Sequence, residues 1–203
     1  MMFCSERFLL FFLAVLVLYW LTPWRRARVW LLLAASFAFY ATWSLSLAWL
    51  VCGTATADYL IARALDASAG ARRRKLLLVL SVGTNLSVLG YFKYAGFFLD
   101  SLGQFLDTLG APAALPTLKL IVPFGISFYT FEAISYTVDV YRRKIPAERN
   151  LANFLLFILF FPHLIAGPIV RARDFLPQTR RPKRWSWPRV NLGLQLILLG
   201  LFK

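Results

Sequence analysis

A polytopic all-α membrane protein with one broken or re-entrant helix is the fold class that this sequence predicts. Three observations carry it. First, 60% of the 203 residues are hydrophobic and 17% aromatic, whereas soluble domains are roughly 45–50% apolar. Such an excess outstrips what a buried core holds and points to lipid as the solvent. Second, 23 Lys and Arg against 9 Asp and Glu give a net charge of +14, set in short runs between apolar stretches. That is the pattern of juxtamembrane loops. It is not the continuous basic face with which a soluble protein holds nucleic acid, so nucleic-acid binding is excluded. Third, "FFPHLIAGPIVRARDF" (residues 160–175) places Pro162, His163, Gly167 and Pro168 inside an apolar run and then breaks into arginines. An unbroken spanning helix has no use for that composition.

A spanning helix needs about 20 apolar residues to cross roughly 30 Å of hydrocarbon. Residues 8–24 are the first candidate, preceded by Glu6 and Arg7 and closed by "YWLTPW". No small-residue cleavage site follows, so an uncleaved span is expected and not a signal peptide. Residues 29–57 hold no charge and are too long for one upright helix. A turn near "TWSLS" (42–46) divides them, and the second part reaches Asp58 and Tyr59. Residues 76–99 come next; Lys93, flanked by aromatics in "GYFKYAGF", is expected to snorkel to an interface. Residues 120–141 contain Glu132 and Asp139, residues 151–170 are the proline-broken stretch, and another segment starts at Val190. The sequence closes inside "NLGLQLILLGLFK", so it is expected to be part of a longer chain. Cys4 and Cys52 make no disulfide framework, and with one histidine they make no metal site.

Basic runs assign the sides. "RRAR" (25–28), "ARRRK" (71–75) and "RRK" (142–144) belong in the cytoplasm, and "DSLGQFLDTLGAPAALPT" (100–117), with two acids and no Lys or Arg, outside. Residues 151–170 then pose a conflict. They start beside "RRK" and end at "RARDFLPQTRRPKRW", with six basic residues, so both flanks demand the same side. One resolution is a segment that dips in and returns, broken at Pro162, Gly167 and Pro168. Non-helical backbone at membrane depth is tolerated only under protein or water, so such a segment lines a cavity. The other is a Pro-kinked span with an unusual basic loop outside.

From Gly125, the residues Tyr129, Glu132, Tyr136, Asp139 and Arg143 follow at steps of three and four, which is one face of a helix. Ile126, Phe131, Ile134 and Val138 are placed on the other side. A carboxylate facing lipid is costly, so the polar stripe faces the bundle interior or a wet cavity. Glu132 either serves that cavity or bridges two helices. Asp139, near the end, is expected to pair with Arg142 or Arg143. His163 has the ordinary pKa of a general base, yet no triad spacing accompanies it, and a backbone-bonding role is the commoner one. Arg171 and Arg173 with Asp174 form either a solvated face or a hold for an anionic headgroup or cofactor phosphate.

The block "VPFGISFYTFEAISYTVDVYRRKIPAERNLANFLLFILFFPHLIAGPIVRARDF", with "LGYFKYAGFF" and the start "FLLFFLAVLVLYWL", resembles the membrane-bound O-acyltransferases. Its closest likeness is to their bacterial alginate O-acetyltransferase branch. The resemblance covers essentially the whole sequence. It implies an enzyme that moves an acyl group, commonly acetyl, from a cytoplasmic thioester donor (acetyl-CoA or an acyl carrier) toward an extracytoplasmic hydroxyl. No resident cofactor is implied. Partners implied are membrane lipids, a periplasmic acetyltransferase and, through it, a polysaccharide acceptor; the implied location is the bacterial inner membrane. By the same resemblance, residues 1–203 are the N-terminal part of a single membrane domain whose catalytic histidine lies beyond residue 203. His163 then sits in the "FPHLIAGPI" signature and is not the catalytic residue. Tyr129, Glu132, Tyr136, Pro162, His163, Gly167, Pro168 and Arg171 are the candidate channel-lining or substrate-lining residues. A transporter or lipid flippase, for which a polar stripe and a broken helix are equally natural, is the rival reading. A non-catalytic scaffold that recruits a periplasmic enzyme is the third.

Overall fold

A computed structural model of the chain describes residues 5–108, 125–164, 169–181 and 183–202. The described residues are almost entirely helical. Helix α1 (Glu6–Leu21) starts at Ser5, whose hydroxyl accepts from the Phe8 N–H at 3.2 Å. Pro23 then holds Thr22 extended (φ −80°, ψ 116°) and ends the helix. α2 (Arg25–Ala41) gives way at residues 42–44 to α3 (Leu45–Ala67), capped by the Ser44 hydroxyl. The expected turn therefore stands, but α3 runs on past Asp58 and Tyr59 to Ala67.

α4 (Ala71–Thr108) has 38 residues, about 57 Å at 1.5 Å per residue. Residues 100–108, expected to begin an extracytoplasmic connection, instead continue this helix. Leu102, Phe105 and Leu106 extend its apolar spacing, and the first helix-breaking proline is Pro112. The remainder of that connection, with residues 120–124 and Cys4, lies outside the described residues. α3 and α4 are each long and apolar enough to cross a membrane.

α5 (Ile126–Tyr141) follows Gly125, whose φ of 72° is a conformation that glycine adopts at little cost. Its far end is a Schellman turn: the Lys144 N–H reaches the Asp139 carbonyl at 2.9 Å and the Arg143 N–H reaches Val140 at 3.0 Å. Arg143 occupies the left-handed position of that turn at φ 58°. The buried face holds Tyr129, Glu132 and Tyr136 as expected. Ile126, assigned to the outer side, is buried too. It lies three residues before Tyr129, hence on the same face. Phe131 is 49% exposed and does face outward. The expected pairing of Asp139 with Arg142 or Arg143 is absent from the ion pairs of the described residues.

α6 (Leu151–Leu159) starts under an Asn150 cap and stops at Phe160, and α7 (Phe161–Leu164) is a single turn. Continued, the helix would lack the bond from residue 162 and set the Pro162 ring against the Ile158 carbonyl. Instead Pro162 falls in the first turn of α7, where a proline is tolerated. α8 (Ala172–Arg180) and α9 (Trp187–Phe202) complete the order.

Small side chains on one stripe of α3 (Ala48, Ala55 and Ala62, all buried) let neighbouring backbones approach closely. α4, α5 and α6 pack against that helix. Polar bonds then gather one end of the bundle. Arg74 of α4 donates to carbonyls at the ends of α3 and α5. Tyr59 donates to the Arg149 carbonyl at 2.6 Å, and Asp66 accepts from the Ala147 N–H at 3.3 Å. Glu148 pairs with Arg180, whose carbonyl accepts from Arg25. Basic runs 25–28, 71–75, 142–144 and 180–184 therefore share one end. α6 leaves that end and α8 returns to it, as their two basic flanks require. The alternative of a kinked span with its basic loop on the opposite side does not hold.

Candidate functional site

The interior polar site begins with the break at Phe160. Ending α6 there frees the Phe161 N–H, and the buried Ser36 hydroxyl of α2 accepts it at 3.2 Å. A buried unpaired amide costs about 1–3 kcal/mol, so this one bond fixes where the chain turns. The His163 N–H closes the next turn on the Phe160 carbonyl at 3.1 Å. The imidazole is thereby set between the rings of Phe160 and Phe175, at centroid distances of 5.5 and 5.9 Å.

On the opposite wall, the inner face of α5 delivers Glu132. Its Oε1 stands 3.3 Å from His163 Nε2, with the two side chains only 4% and 13% exposed. The separation suits an ion pair, but the two atoms are not aligned as a hydrogen bond. The hydroxyls of Tyr129 and Thr130 are likewise buried without a protein partner among the described residues. These four polar atoms, on one short stretch of α5 and its neighbour α7, make a polar patch in the buried interior. Chemically, a carboxylate beside an imidazole can orient the ring, select its tautomer and hold or pass a proton.

The other predicted lining residues are placed differently. Tyr136 is buried against Phe154 (4.7 Å), and its hydroxyl accepts from the Glu148 N–H at 2.8 Å, so it ties α5 to the following loop. Pro162 turns outward toward a separate crevice. Arg171 is exposed at the start of α8, and Arg173 pairs with Asp174 at 3.6 Å on a solvated face. Gly167 and Pro168 lie outside the described residues. Lys93 is exposed, its ammonium 5.5 Å from the Tyr94 ring centre.

Sequence reasoning missed a second buried polar cluster. Asp58 of α3 accepts from Ser81 at 2.6 Å and from Asn85 at 2.7 and 2.9 Å, while Ser81 also reaches Thr137 of α5 at 3.1 Å. All four side chains are buried. The signal was there: Ser81 and Asn85 are four apart within an apolar helix, and Asp58 is the first acid after a long charge-free run. This cluster fastens α3, α4 and α5 together beside the Glu132 face.

The chain is similar to curated proteins over most of its length. It is 45% identical over 181 residues to a protein of Pseudomonas aeruginosa named a probable alginate O-acetylase, covering 88% of this chain and 34% of that protein. A protein of the same name from Azotobacter vinelandii is also 45% identical, covering 88% and 36%. A peptidoglycan O-acetyltransferase of Helicobacter pylori is 33% identical over 202 residues, covering 87% and 37%. The chain thus spans about a third of the length of these relatives. No family model matches it, and neither does any solved structure. With these relatives, and with two long apolar helices among the described residues, the chain is that of a membrane protein.

Proposed function

We infer, for a chain that belongs to the membrane-bound O-acyltransferase family, that the whole protein is a multi-pass O-acetyltransferase of the bacterial inner membrane. It takes an acetyl group from a cytoplasmic thioester, acetyl-CoA or an acyl carrier. It delivers that group across the membrane for O-acetylation of an extracytoplasmic polysaccharide such as alginate, through a periplasmic acetyltransferase. The observation that carries this reading is the 45% identity to proteins named alginate O-acetylases, against 33% to the peptidoglycan O-acetyltransferase. Relatives with these names do not favour the transporter or flippase reading.

In this reading the 203 residues supply the N-terminal part of the membrane domain, and the catalytic histidine lies beyond residue 203. The basic end of the bundle faces the cytoplasm, where positive loops are retained. Tyr129, Glu132 and His163 line the interior path, with Glu132 holding the imidazole in place. Gln at position 163 keeps a donor of similar reach but cannot return a proton near neutrality. The test is acetyl release from radiolabelled acetyl-CoA, and acetylation of polymer, by the whole protein in membranes. His163→Gln is expected to keep substantial transfer, while His163→Leu loses folded protein. The isolated 203-residue piece is expected to insert yet transfer nothing. Abolition of transfer by His163→Gln at normal protein levels would make His163 the base and overturn its assignment here. Absence of any acetyl transfer by the whole protein would overturn the proposed activity.

A further inference from the structure

Beside the bundle interior, α1, α2, the α6–α7 break and α8 enclose a crevice of about 290 Å³, at the lower end of the roughly 300–1,000 Å³ of small-molecule sites. Its walls change character along its length. Deep inside are Phe12, Val15, Leu32 and Phe161; at the mouth are Arg25, Arg28, Arg181 and Lys183. Seven residues separate Phe12 from Tyr19 on α1, and seven separate Arg25 from Leu32 on α2. From mouth to inner end the crevice is therefore about 10 Å long.

None of the four cations takes part in an ion pair among the described residues. Arg25 donates through Nη1 to the Arg180 carbonyl and Arg28 through Nε and Nη1 to those of Thr22 and Lys183, acceptors that carry no net charge and leave further N–H groups on both. A net positive mouth thus closes an apolar slot. Tryptophans mark the depth of that mouth: Trp20 and Trp185 stand 4.9 Å apart, Trp185 and Trp187 5.3 Å, and Trp24 is exposed. Indole rings collect at the headgroup level of a bilayer. Leu16 lines the crevice and is 39% exposed, continuous with the exposed Leu13 and Val17 on the outer face of α1. The slot therefore opens sideways, toward lipid.

We propose that this crevice is a binding site for one anionic phospholipid, its phosphate on the Arg25, Arg28, Arg181 and Lys183 mouth and one acyl chain between α1, α2 and α7. The volume admits a stretch of a single chain and not a whole lipid, so the second chain lies on the outer face of α1. The site is distinct from the Glu132–His163 interior and does not depend on the acetyl-transfer reading.

The test uses the whole protein in nanodiscs of phosphatidylcholine with or without phosphatidylglycerol, with native mass spectrometry reading the retained lipid. One phosphatidylglycerol is expected to stay bound in preference to phosphatidylcholine. The double variant Arg181→Gln, Lys183→Gln removes side chains that make no hydrogen bond or ion pair among the described residues. It should weaken retention by about fivefold per cation or more. Arg72→Gln with Arg73→Gln, exposed at the same end of the bundle but away from the crevice, should leave retention unchanged. Val29→Phe fills the slot and should remove the lipid with every cation still present. Equal retention of the two lipids, or equal loss in the Arg72, Arg73 control, would overturn the site. So would displacement of phosphatidylglycerol by inorganic phosphate or by acetyl-CoA, which would make the mouth a phosphate or donor site instead.

Discussion

Arg74 offers the most direct test of how the helices are joined. Within the run 71–75 its neighbours Arg72 and Arg73 are exposed, whereas Arg74 is buried. Its Nη1 donates to the Leu65 carbonyl at 2.7 Å and to Ser68 at 3.4 Å. Its Nη2 donates to Tyr141 at 2.7 Å and to Val140 at 3.3 Å, and the guanidinium lies 5.7 Å from the Tyr141 ring centre. One planar fork thus satisfies the last carbonyls of α3 and of α5 at once, where cations also complement the helix dipole. Hydrogen bonds to a charged group contribute about 1.5–3 kcal/mol each, so the two short ones give about 3–6 kcal/mol. The carbonyls they serve lie at helix ends beside exposed residues, where water replaces part of the loss. Arg74→Ala should therefore cost about 2–4 kcal/mol. Arg74→Lys should recover no more than half, since an ammonium cannot span both helix ends as the fork does. The assay is denaturant or thermal unfolding of the whole protein in detergent, with Arg73→Ala as the reference. An Arg74→Ala protein within about 0.5 kcal/mol of that reference, the range of ordinary surface changes, would refute the idea that this fork holds α3, α4 and α5 together.

Three further outcomes are expected. Glu132→Leu should reduce acetyl transfer or folded yield well beyond Phe131→Leu, because Glu132 is buried beside His163 and Phe131 is half exposed; equal, mild effects would remove the polar stripe from the site. In a background lacking Cys4 and Cys52, Thr108→Cys at the far end of α4 should label from outside the cell, and cysteines placed at positions 72 and 181 only from the cytoplasm. Thr108→Cys labelling from the cytoplasm alone would invert or dissolve the topology. Arg143→Gly should raise stability by about 0.5–1 kcal/mol, since the residue sits at φ 58° where non-glycine residues are strained by about 1–2 kcal/mol and glycine returns part of that as chain entropy; a loss of stability in the same unfolding assay would show that the Arg143 side chain contributes more than its backbone costs.

Composition and local pattern determined much of this protein. The apolar excess, the charge-free run of residues 29–57 and the basic clusters are properties of short windows, and they set the solvent, the helices and the shared end of the basic runs. Pro162 announced the break for the same reason, since a missing N–H and a clashing ring act on their own helix wherever it packs. The inner face of α5 was legible from its spacing, apart from Ile126, which the arithmetic of 100° per residue puts on the buried side, and Arg143, which falls exposed in the turn beyond the helix end. What only the tertiary structure decided is which partners meet. Nothing local separates Arg74 from Arg72 and Arg73, because burial is conferred by α3 and α5 and not by the tripeptide. Ser36 became the acceptor for the Phe161 N–H across 125 residues of chain, and Glu132 came to face His163 where α5 packs beside the broken helix. The crevice beside α1 is shaped by four segments far apart in sequence, each of which reads alone as an ordinary apolar helix or basic loop. Long-range approach is a property of packed surfaces, and no window of sequence contains both of them.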